Sequence, residues 1–206
     1  GAGNTNITAS QSGNSSYQAA TPVVRTLIVN KATITATSNA NKVYGDANPV
    51  LNITYSGFKN NETASVIDTP PTATTVATAS SPVGSYTITV TGGTDNNYSI
   101  TPVNGTFTIT KATISATADN KSYGCGQTWP VFTGTLTGVV TGDGITATYV
   151  TTATPSSPAG TYPITPVLAD PNKKLSNYTT NLVNGTLTIS STSSFVLDAS
   201  ATSGVL

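Results

Sequence analysis

The stretch of residues 103–124, VNGTFTITKATISATADNKSYG, decides the fold of this chain. Apolar and polar residues alternate on both sides of Lys111, which predicts a half-buried strand before it and another after it. The apolar positions are odd-numbered before Lys111 (Phe107, Ile109) and even-numbered after it (Ala112, Ile114). A one-residue slip turns every side chain of a strand to its opposite face, so the buried face must switch at Lys111. We infer that the chain leaves one core there and enters another.

The same stretch occurs elsewhere in the chain. A similar sequence is found at residues 23–45, VVRTLIVNKATITATSNANKVYG, and one similar to its first part is found at residues 183–190, VNGTLTIS. Lys31 and Lys111 lie 80 residues apart, and the parity change at Lys111 is also found at Lys31. Self-similarity at a fixed period is typical of tandem repeats. The predicted modules are residues 31–110 and 111–190, with module junctions at Lys31, Lys111 and Ser190.

Turn residues divide each module into short strands. In the first module we predict strands near residues 32–37, 51–56, 72–76, 85–90, 98–102 and 106–110. Turns such as Gly92-Gly93 and Asn104-Gly105 separate them, and residues 62–67 can form one short helical turn. Strands of this length and spacing are typical of small β-sandwiches. The prediction is an all-β chain of small sandwich modules, Ig-like or β-grasp-like in strand order, arranged end to end.

The two ends do not fit this plan. Residues 1–30 supply a closing hairpin without opening strands, and residues 191–206 supply an alternating strand without a partner. An unpaired apolar strand invites pairing with another chain or segment. We expect these ends to belong to modules completed elsewhere, in a longer polypeptide or in a neighbouring chain. The residues expected to carry strand complementation are Val23, Leu27, Val29, Phe195 and Leu197.

Composition excludes several classes of function. Charged residues make up 8% of the chain and its formal net charge is zero, whereas roughly a quarter of an average soluble domain is charged. Nucleic-acid binding needs a cationic stripe, and the only basic cluster is Lys173-Lys174. Ser-His and Cys-His catalytic pairs and structural zinc sites need residues that this chain of one cysteine and no histidine does not have. No stretch approaches the roughly 20 apolar residues of a membrane-spanning helix.

The acidic residues point to turns rather than to an ion or a reaction. The eight acids are scattered one per turn, which disfavours an acid pair for glycoside hydrolysis. Calcium fits better because it binds hard oxygen ligands, and its candidate ligands are Asp95, Asn96, Asp170 and Asn172. Capping of tight turns by Asp and Asn is nevertheless the favoured interpretation. We therefore expect no enzymatic activity and no cofactor, with calcium as the one ion to test.

Three further features each have a functional and a structural interpretation. Lys31 and Lys111 suggest either an isopeptide staple or snorkelling lysines at a module junction. Cys125 suggests either an intermolecular disulfide or a small residue in a Gly-rich turn. Tyr123 and Trp129 suggest either stacking on sugar rings or an aromatic plug at the end of the module. The structural interpretation is favoured in all three cases.

A set of short motifs in the first module carries a family resemblance. The motifs are Lys31-Ala32-Thr33-Ile34-Thr35-Ala36, Tyr44-Gly45-Asp46, Asn48-Pro49, Tyr55-Ser56-Gly57-Phe58, Val83-Gly84-Ser85-Tyr86, Asn97-Tyr98 and Gly105-Thr106-Phe107-Thr108-Ile109. Together they resemble the MBG domain of the YGX type, which forms arrays in surface proteins of Bacteroidota and related bacteria. The second copy departs from the pattern: Tyr123-Gly124 is present, but Cys125 stands where the family has Asp, and Trp129-Pro130 lies near the Asn-Pro position.

The ends resemble a different repeat. Residues 1–11 and 17–23 look like the C-terminal half of a bacterial Ig-like (Big-type) repeat, and residues 195–204 look like its opening strand. The two resemblances imply a giant adhesin or extracellular filament at the bacterial cell surface. Export by the type IX system and a role in gliding are one known setting for such proteins.

Two functional hypotheses follow. In the first, the chain is a structural repeat segment, or stalk, that gives reach and mechanical continuity; its partners are adjacent repeats, and a surface glycan or cell-surface ligand is bound elsewhere on the full protein. In the second, the chain is a subunit of a non-covalent filament that polymerises by strand complementation. A ligand-binding tip has less support, since no insertion interrupts the repeat pattern.

Overall fold

The computed structural model describes residues 1–191. These residues form β-strands and two single-turn 3-10 helices, Ala64–Val66 and Leu175–Asn177. The prediction of an all-β fold with at most one short helical turn per module is therefore confirmed. The chain divides into two compact units between Thr110 and Lys111.

The first unit contains an N-terminal hairpin followed by a seven-stranded module. The hairpin pairs β1 (Gly3–Gln11) with β2 (Ala20–Val29) in antiparallel orientation. The strands of the module are β3 (Ala32–Thr37), β4 (Ala40–Val43), β5 (Thr54–Ser56), β6 (Thr72–Thr75), β7 (Gly84–Thr91), β8 (Tyr98–Pro102) and β9 (Gly105–Thr110). They form a three-stranded sheet, β5-β3-β8, and a four-stranded sheet, β4-β9-β7-β6.

The chain changes sheet twice in this module without making a long loop. β3 leads into β4 across Ser38 and Asn39, and β8 leads into β9 across Val103 and Asn104. The two crossings lie side by side, because β3 pairs in parallel with β8 and β4 pairs in parallel with β9. The Asn39 Oδ1 accepts a hydrogen bond from the backbone N–H of Thr106 at 2.8 Å, which ties one crossing to the other.

The parallel register shifts by one residue at the crossings. Ala36 lies opposite Pro102 before the shift, and Ala40 lies opposite Phe107 after it, so the second strand contains one extra residue. The extra residue turns that strand over: an even-numbered side chain, Tyr98, is buried in β8, and odd-numbered Phe107 is buried in β9. One alternating strand thereby contributes to both sheets.

Glycine is needed where the paired strands cross between sheets. An ideal Cβ on Gly105 would lie 1.7 Å from the backbone carbonyl oxygen of Ser38, and one on Gly185 would lie 2.4 Å from that of Asp119. These distances are far below van der Waals contact, so the two backbones can approach only without a side chain. The Asn-Gly pairs predicted as turns are therefore also points of close backbone approach.

The second unit repeats the module strand for strand. Its strands are β10 (Ala112–Ala118), β11 (Lys121–Tyr123), β12 (Gly134–Thr137), β13 (Thr146–Val150), β14 (Gly160–Ala169), β15 (Tyr178–Val183) and β16 (Gly185–Ile189). They form the sheets β12-β10-β15 and β11-β16-β14-β13, the same orders as in the first module. β10 pairs in parallel with β15 and contacts β14 of the other sheet. The module is thus a sandwich of two sheets, and not a single β-grasp sheet.

Each module buries a small apolar core. The buried apolar side chains of the first module are Ile34, Ala36, Tyr44, Ile67, Ala77, Ile88, Val90, Tyr98, Phe107 and Ile109. Those of the second are Ala112, Ile114, Ala116, Ala118, Ile145, Ala153, Ile164, Tyr178, Leu187 and Ile189. Most lie on the inward face of alternating strands, where removal of apolar surface from water is the main stabilising force.

Several details differ from the sequence-based predictions. The strand expected at residues 51–56 is only Thr54–Ser56, and the short strands β4 and β11 were not predicted. The face switch at Lys111 is confirmed, since Ile109 and Ala112 are both buried. The corresponding switch at Lys31 is not found, because β2 has no buried face: Leu27 is 47% exposed and Val29 44%.

Substitution of Gly185 by alanine should destabilise the second module. The added methyl group meets backbone that cannot move without disturbing the paired strands, so we expect a loss of about 1–3 kcal/mol in the free energy of unfolding. Trp129 is the only tryptophan of the chain and lies in this module. Urea unfolding followed by its fluorescence therefore measures the effect on this module.

Gly124→Ala provides the matched control. Its Cβ would lie no closer than 3.7 Å to another group, the side chain of Gln127, which is ordinary contact. Equal midpoints for Gly185→Ala, Gly124→Ala and the unsubstituted chain would contradict the crossing geometry.

Candidate load-bearing strands and assembly surfaces

The first and last strands of each module are joined directly to each other. In the first module, β3 and β8 are in register from Ala32 opposite Tyr98 to Ala36 opposite Pro102. The β4–β9 ladder then continues this pairing to Val43, and the Tyr44 N–H donates to the Thr110 carbonyl oxygen at 2.9 Å. Because the pairing is parallel, the first and last residues of the module lie at opposite ends of one continuous ladder.

The second module has the same ladder. β10 pairs with β15 from Ala112 opposite Tyr178, and β11 pairs with β16 as far as Tyr123 opposite Ile189. The backbone N–H of Ser190, the predicted junction residue, donates to the Tyr123 carbonyl oxygen at 3.0 Å. A parallel ladder between the terminal strands is therefore a property of both modules.

A buried tyrosine hydrogen-bonds a carboxylate in each module. The Tyr98 hydroxyl donates to Glu62 Oε2 at 2.5 Å and accepts from the Lys59 backbone N–H at 3.0 Å. The hydrogen bond to the Glu62 carboxylate raises the pKa of Tyr98, because it favours the protonated phenol. This pair fastens the loop after β5 to the first residue of β8.

The corresponding tyrosine of the second module makes the same contacts. The Tyr178 hydroxyl donates to Asp143 Oδ2 at 2.5 Å and accepts from the Val140 backbone N–H at 3.0 Å. Glu62 and Asp143 are two of the eight acids whose scattered positions in the sequence indicated turns and no such pairing. Glu62 and Asp143 are 81 residues apart, and not 80 as the repeat would require, because the second module has one extra residue, Asp119, after its first strand. The sequence comparison therefore did not align the two acids.

A buried lysine of β4 fills the end of the first module at which the β4–β9 ladder finishes. Lys42 is 6% exposed, and its Nζ donates to three backbone carbonyl oxygens, those of Asp46 at 2.9 Å, Thr78 at 2.9 Å and Ala79 at 3.0 Å. Burial lowers the pKa of Lys42, and the nearby Asp46 charge opposes that shift. Asn48 reinforces the region by donating from Nδ2 to the Ala77 carbonyl oxygen at 2.6 Å.

Aromatic rings fill the same place in the second module. Strand register puts Tyr123 opposite Ile189, where the first module has Lys42 opposite Ile109. The Tyr123 and Trp129 ring centroids are 4.8 Å apart at 74°, and Trp129 meets Phe132 edge-on at 5.8 Å. All three rings pack against the core cluster, as the plug interpretation expected.

This register corrects one alignment made from sequence. Tyr123-Gly124 was matched to Tyr44-Gly45 because the letters agree, but Tyr123 takes the structural position of Lys42. Cys125 therefore does not replace Asp46 at the turn. It is exposed beside an open cleft of about 400 Å³ whose lining includes Tyr123, Ser157 and Ile189.

The first predicted calcium position is an aspartate that caps a turn. Asp95 is buried, and its Oδ1 accepts backbone N–H groups from Asn97 and Tyr98, both at 2.7 Å. Burial acts to raise the pKa of Asp95, but these hydrogen bonds and the Lys31 charge outweigh it, so the pKa lies below its ordinary value. The backbone N–H of Asn96 is bound by the neighbouring Asp68 at 2.9 Å.

The second predicted position has the same design. The carboxylate of Asp170 accepts the backbone N–H groups of Lys174 and Leu175, each at 2.8 Å, and Asn172 donates from Nδ2 to the Asp143 carbonyl oxygen at 3.0 Å. Within residues 1–191, no three His, Cys, Asp or Glu side chains are grouped as a metal site would need. Calcium binding by Asp95, Asn96, Asp170 and Asn172 stays a prediction.

The junction lysines are both exposed. The Lys31 Nζ donates to the backbone carbonyl oxygen of Asp95 at 2.6 Å. An isopeptide staple needs a buried lysine, so this arrangement favours the simpler interpretation of solvated lysines at the ends of the modules.

The N-terminal hairpin is exposed along its whole length. Val23 is 54% exposed, and all other residues of β1 and β2 are exposed as well. The Ala2 backbone N–H donates to Asn97 Oδ1 at 2.9 Å, which connects the hairpin to its module. Phe195 and Leu197, which were also expected to carry strand complementation, lie outside the described residues.

The repeated sandwich and its motifs match a known family model. The model for the MBG domain (YGX type) covers residues 32–108 and again residues 113–188. The chain belongs to this family. MBG domains are structural all-β modules of extracellular surface proteins and are not a known enzyme family.

A search of curated proteins finds no match to this MBG chain. Among the described residues, neither helical turn is long or apolar enough to cross a membrane. The likeness of residues 1–30 and 191–206 to Big-type repeats stays a prediction.

Replacement of Tyr178 by phenylalanine should destabilise the second MBG module. The change removes a hydroxyl that both donates to Asp143 and accepts from Val140, so we expect a loss of about 1.5–3 kcal/mol, as for other hydrogen bonds to charged groups. Tyr162→Phe is the matched control, since its hydroxyl donates to the exposed carbonyl oxygen of Pro158 at 2.9 Å. That neutral bond should be worth about 0.5–1.5 kcal/mol. Trp129 fluorescence during urea unfolding measures the loss of stability in both variants. A larger loss for Tyr162→Phe than for Tyr178→Phe would contradict the prediction.

Replacement of Asp95 by asparagine should change how stability depends on pH. Since the folded-state pKa of Asp95 is below its ordinary value of 3.8, the ionised carboxylate stabilises the fold above that pH, and this contribution is lost as pH falls through the folded-state pKa. The melting temperatures of Asp95→Asn and the unsubstituted chain should therefore differ most near neutral pH and converge in acid. Scanning calorimetry over that pH range measures the difference in melting temperature. A difference that does not change with pH would refute the assignment.

Proposed function

We propose that the chain is a load-bearing segment of a bacterial extracellular fibre, the stalk of a surface adhesin or cell-surface filament of the kind found in Bacteroidota. The observation that supports this best is the parallel ladder between the first and last strands of each module. A stalk transmits tension through the two ends of every module. The ladder lies directly between those ends.

Parallel pairing determines how tension acts on the ladder. Pulling on the first residue of β10 and the last residue of β16 draws the paired strands past each other, along their length. All hydrogen bonds of the ladder then resist together, and the buried side chains between the sheets must move with them. Tension applied at the same end of two paired strands instead opens the bonds one at a time, which needs less force.

Other features suit a structural role. The Tyr98–Glu62 hydrogen bond connects a loop to the start of β8, and the Tyr178–Asp143 hydrogen bond connects the corresponding loop to the start of β15. The low charge and the polar, Thr-rich outer faces suit a fibre that does not bind indiscriminately to charged surfaces. We propose no catalytic role, in keeping with a family of structural modules. Gliding motility is a setting that the family resemblance suggests.

Single-molecule force measurements test the load-bearing role. Handles attached to cysteines at Lys111 and Ser190, in a Cys125→Ser background, pull the second module along its ladder. Handles at Lys111 and Lys174 pull the same module from one end of the β10–β15 pair, because Lys174 precedes β15 at the end where Ala112 meets Tyr178. At the same loading rate, the first geometry should give the higher unfolding force.

Equal or lower force along the ladder would contradict the proposal. Unfolding by force is governed by the unfolding rate and not by equilibrium stability. The two attachments should therefore have similar urea midpoints, which controls for damage by the cysteines. Handles at Lys31 and Thr110 repeat the measurement on the first module.

The exposed hairpin supports a second candidate function. An apolar two-stranded sheet is marginally stable alone, so β1 and β2 suit a subunit that is completed by a neighbouring chain. The mass of the native polypeptide under denaturing conditions separates the two candidates. A very long polypeptide supports the covalent stalk, whereas a chain near 20.8 kDa supports the polymerising subunit.

A further inference from the structure

The hairpin has one face that is more apolar than the other. Residues directly opposite each other in an antiparallel pair share a face, and the odd-numbered residues of β1 and β2 are so paired. This face holds Ile7 on β1 and Val23, Leu27 and Val29 on β2, each at least 44% exposed. It also holds one charged residue, Arg25, which lies opposite Ile7. The other face has Asn4, Asn6, Thr8 and Thr26 beside Val24 and Ile28. We call the odd-numbered face the apolar hairpin face.

The two outer edges of the hairpin differ in their capacity to pair. β2 contains Pro22, which has no N–H to donate, and Arg25, and both residue types protect an edge from further pairing. β1, with the sequence GNTNITASQ, has neither a proline nor a charge. Its register with β2 is regular from Gly3 to Ala9. The edge suited to accept another strand is therefore that of β1.

Side-chain size on β1 indicates what the added strand must supply. On the apolar hairpin face, β1 presents Gly3, Thr5 and Ala9 beside the single large residue Ile7. Large side chains on a strand next to β1 would lie above these small ones. From there they reach toward Leu27 and its neighbours across the sheet. The site therefore favours a strand with large apolar residues in alternation.

Residues 192–206, TSSFVLDASATSGVL, have the properties that this edge requires. Phe195, Leu197 and Ala199 alternate with other residues, and there is no proline. The segment starts directly after the last described residue, Ser191, and 15 extended residues span up to about 50 Å. Its one charge, Asp198, is opposite in sign to Arg25, the one charged residue of residues 1–30. Nothing in the charges of the two segments opposes their association.

We propose that residues 195–201 of one copy of this chain pair with β1 of a second copy, with Phe195 and Leu197 on the apolar hairpin face. The contact uses different surfaces of the two partners, so it is heterologous and can repeat along a fibre. It converts a two-stranded sheet into one of three strands, the smallest number that is commonly stable with one apolar face. Its place in a fibre rests on the proposed function, but the pairing itself is tested separately.

Sedimentation velocity over a range of concentrations tests the pairing with the full chain. The unsubstituted chain should form dimers and larger oligomers as concentration rises. Ile7→Asp removes an apolar contact from the hairpin, and Leu197→Asp removes one from the added strand. Each variant alone should weaken association about ten- to a hundredfold, which is the effect of losing one buried aliphatic side chain. An equimolar mixture of the two variants should form dimers and nothing larger, because one intact hairpin then meets one intact strand.

A matched control and a mapping measurement sharpen the result. Val50→Asp places the same charge at a valine that is 79% exposed but outside the hairpin, and it should associate like the unsubstituted chain. Amide hydrogen exchange should show protection gained with association on β1 and not on β2.

Four results would overturn the proposal. They are a chain that stays monomeric at every concentration, single variants that associate unchanged, a mixture that stays monomeric, and protection gained on β2 alone. The load-bearing role depends on the ladder within a module, so it can fail in the force measurement while this pairing holds, and the reverse is equally possible.

Discussion

The parallel pairing of the first and last strands is the constraint on which the rest of each module depends. The strand pairs β3–β8 and β10–β15 begin the ladder, and the pairs β4–β9 and β11–β16 complete it in the other sheet. Both strands must change sheet at the same level, because each is hydrogen-bonded to the other on both sides of the crossing. The close backbone approach at Gly105 and Gly185 follows from that requirement. So do the hydrogen bonds that Asn39 Oδ1 accepts from the Thr106 N–H and, in the second module, Asn120 Oδ1 accepts from the Thr186 N–H.

The ladder also explains why the two modules tolerate different interiors. In the first module, Lys42 fills the end at which the ladder finishes, and its ammonium group donates hydrogen bonds to three carbonyl oxygens. The second fills the same place with the rings of Tyr123, Trp129 and Phe132. A buried charge is acceptable when its hydrogen bonds are satisfied, and an apolar plug needs none. Both solutions leave the strand pairing unchanged.

The N-terminal hairpin differs from the modules because its strands lack a covering layer among the described residues. In a module, the inward face of each strand is buried against another sheet. In the hairpin, Ile7 and Leu27 are 57% and 47% exposed on the same face. This contrast, within one chain of otherwise similar strands, is the physical basis for treating the hairpin as an assembly surface.

The sequence by itself determined the all-β class, the two-fold repeat and the reversal of the buried face at Lys111, because alternation and Asn/Gly turns are local properties. Tertiary structure alone decided which strands pair. The parallel ladder, the change of sheet at Gly105 and the Tyr178–Asp143 contact join residues far apart in the chain, and no local pattern records such contacts. It also decided that Tyr123 stands where Lys42 does and not where Tyr44 does. Both modules contain the dipeptide Tyr-Gly, but the structural position of each tyrosine is determined by its hydrogen-bond register. The extra residue Asp119 shifts that register in the second module.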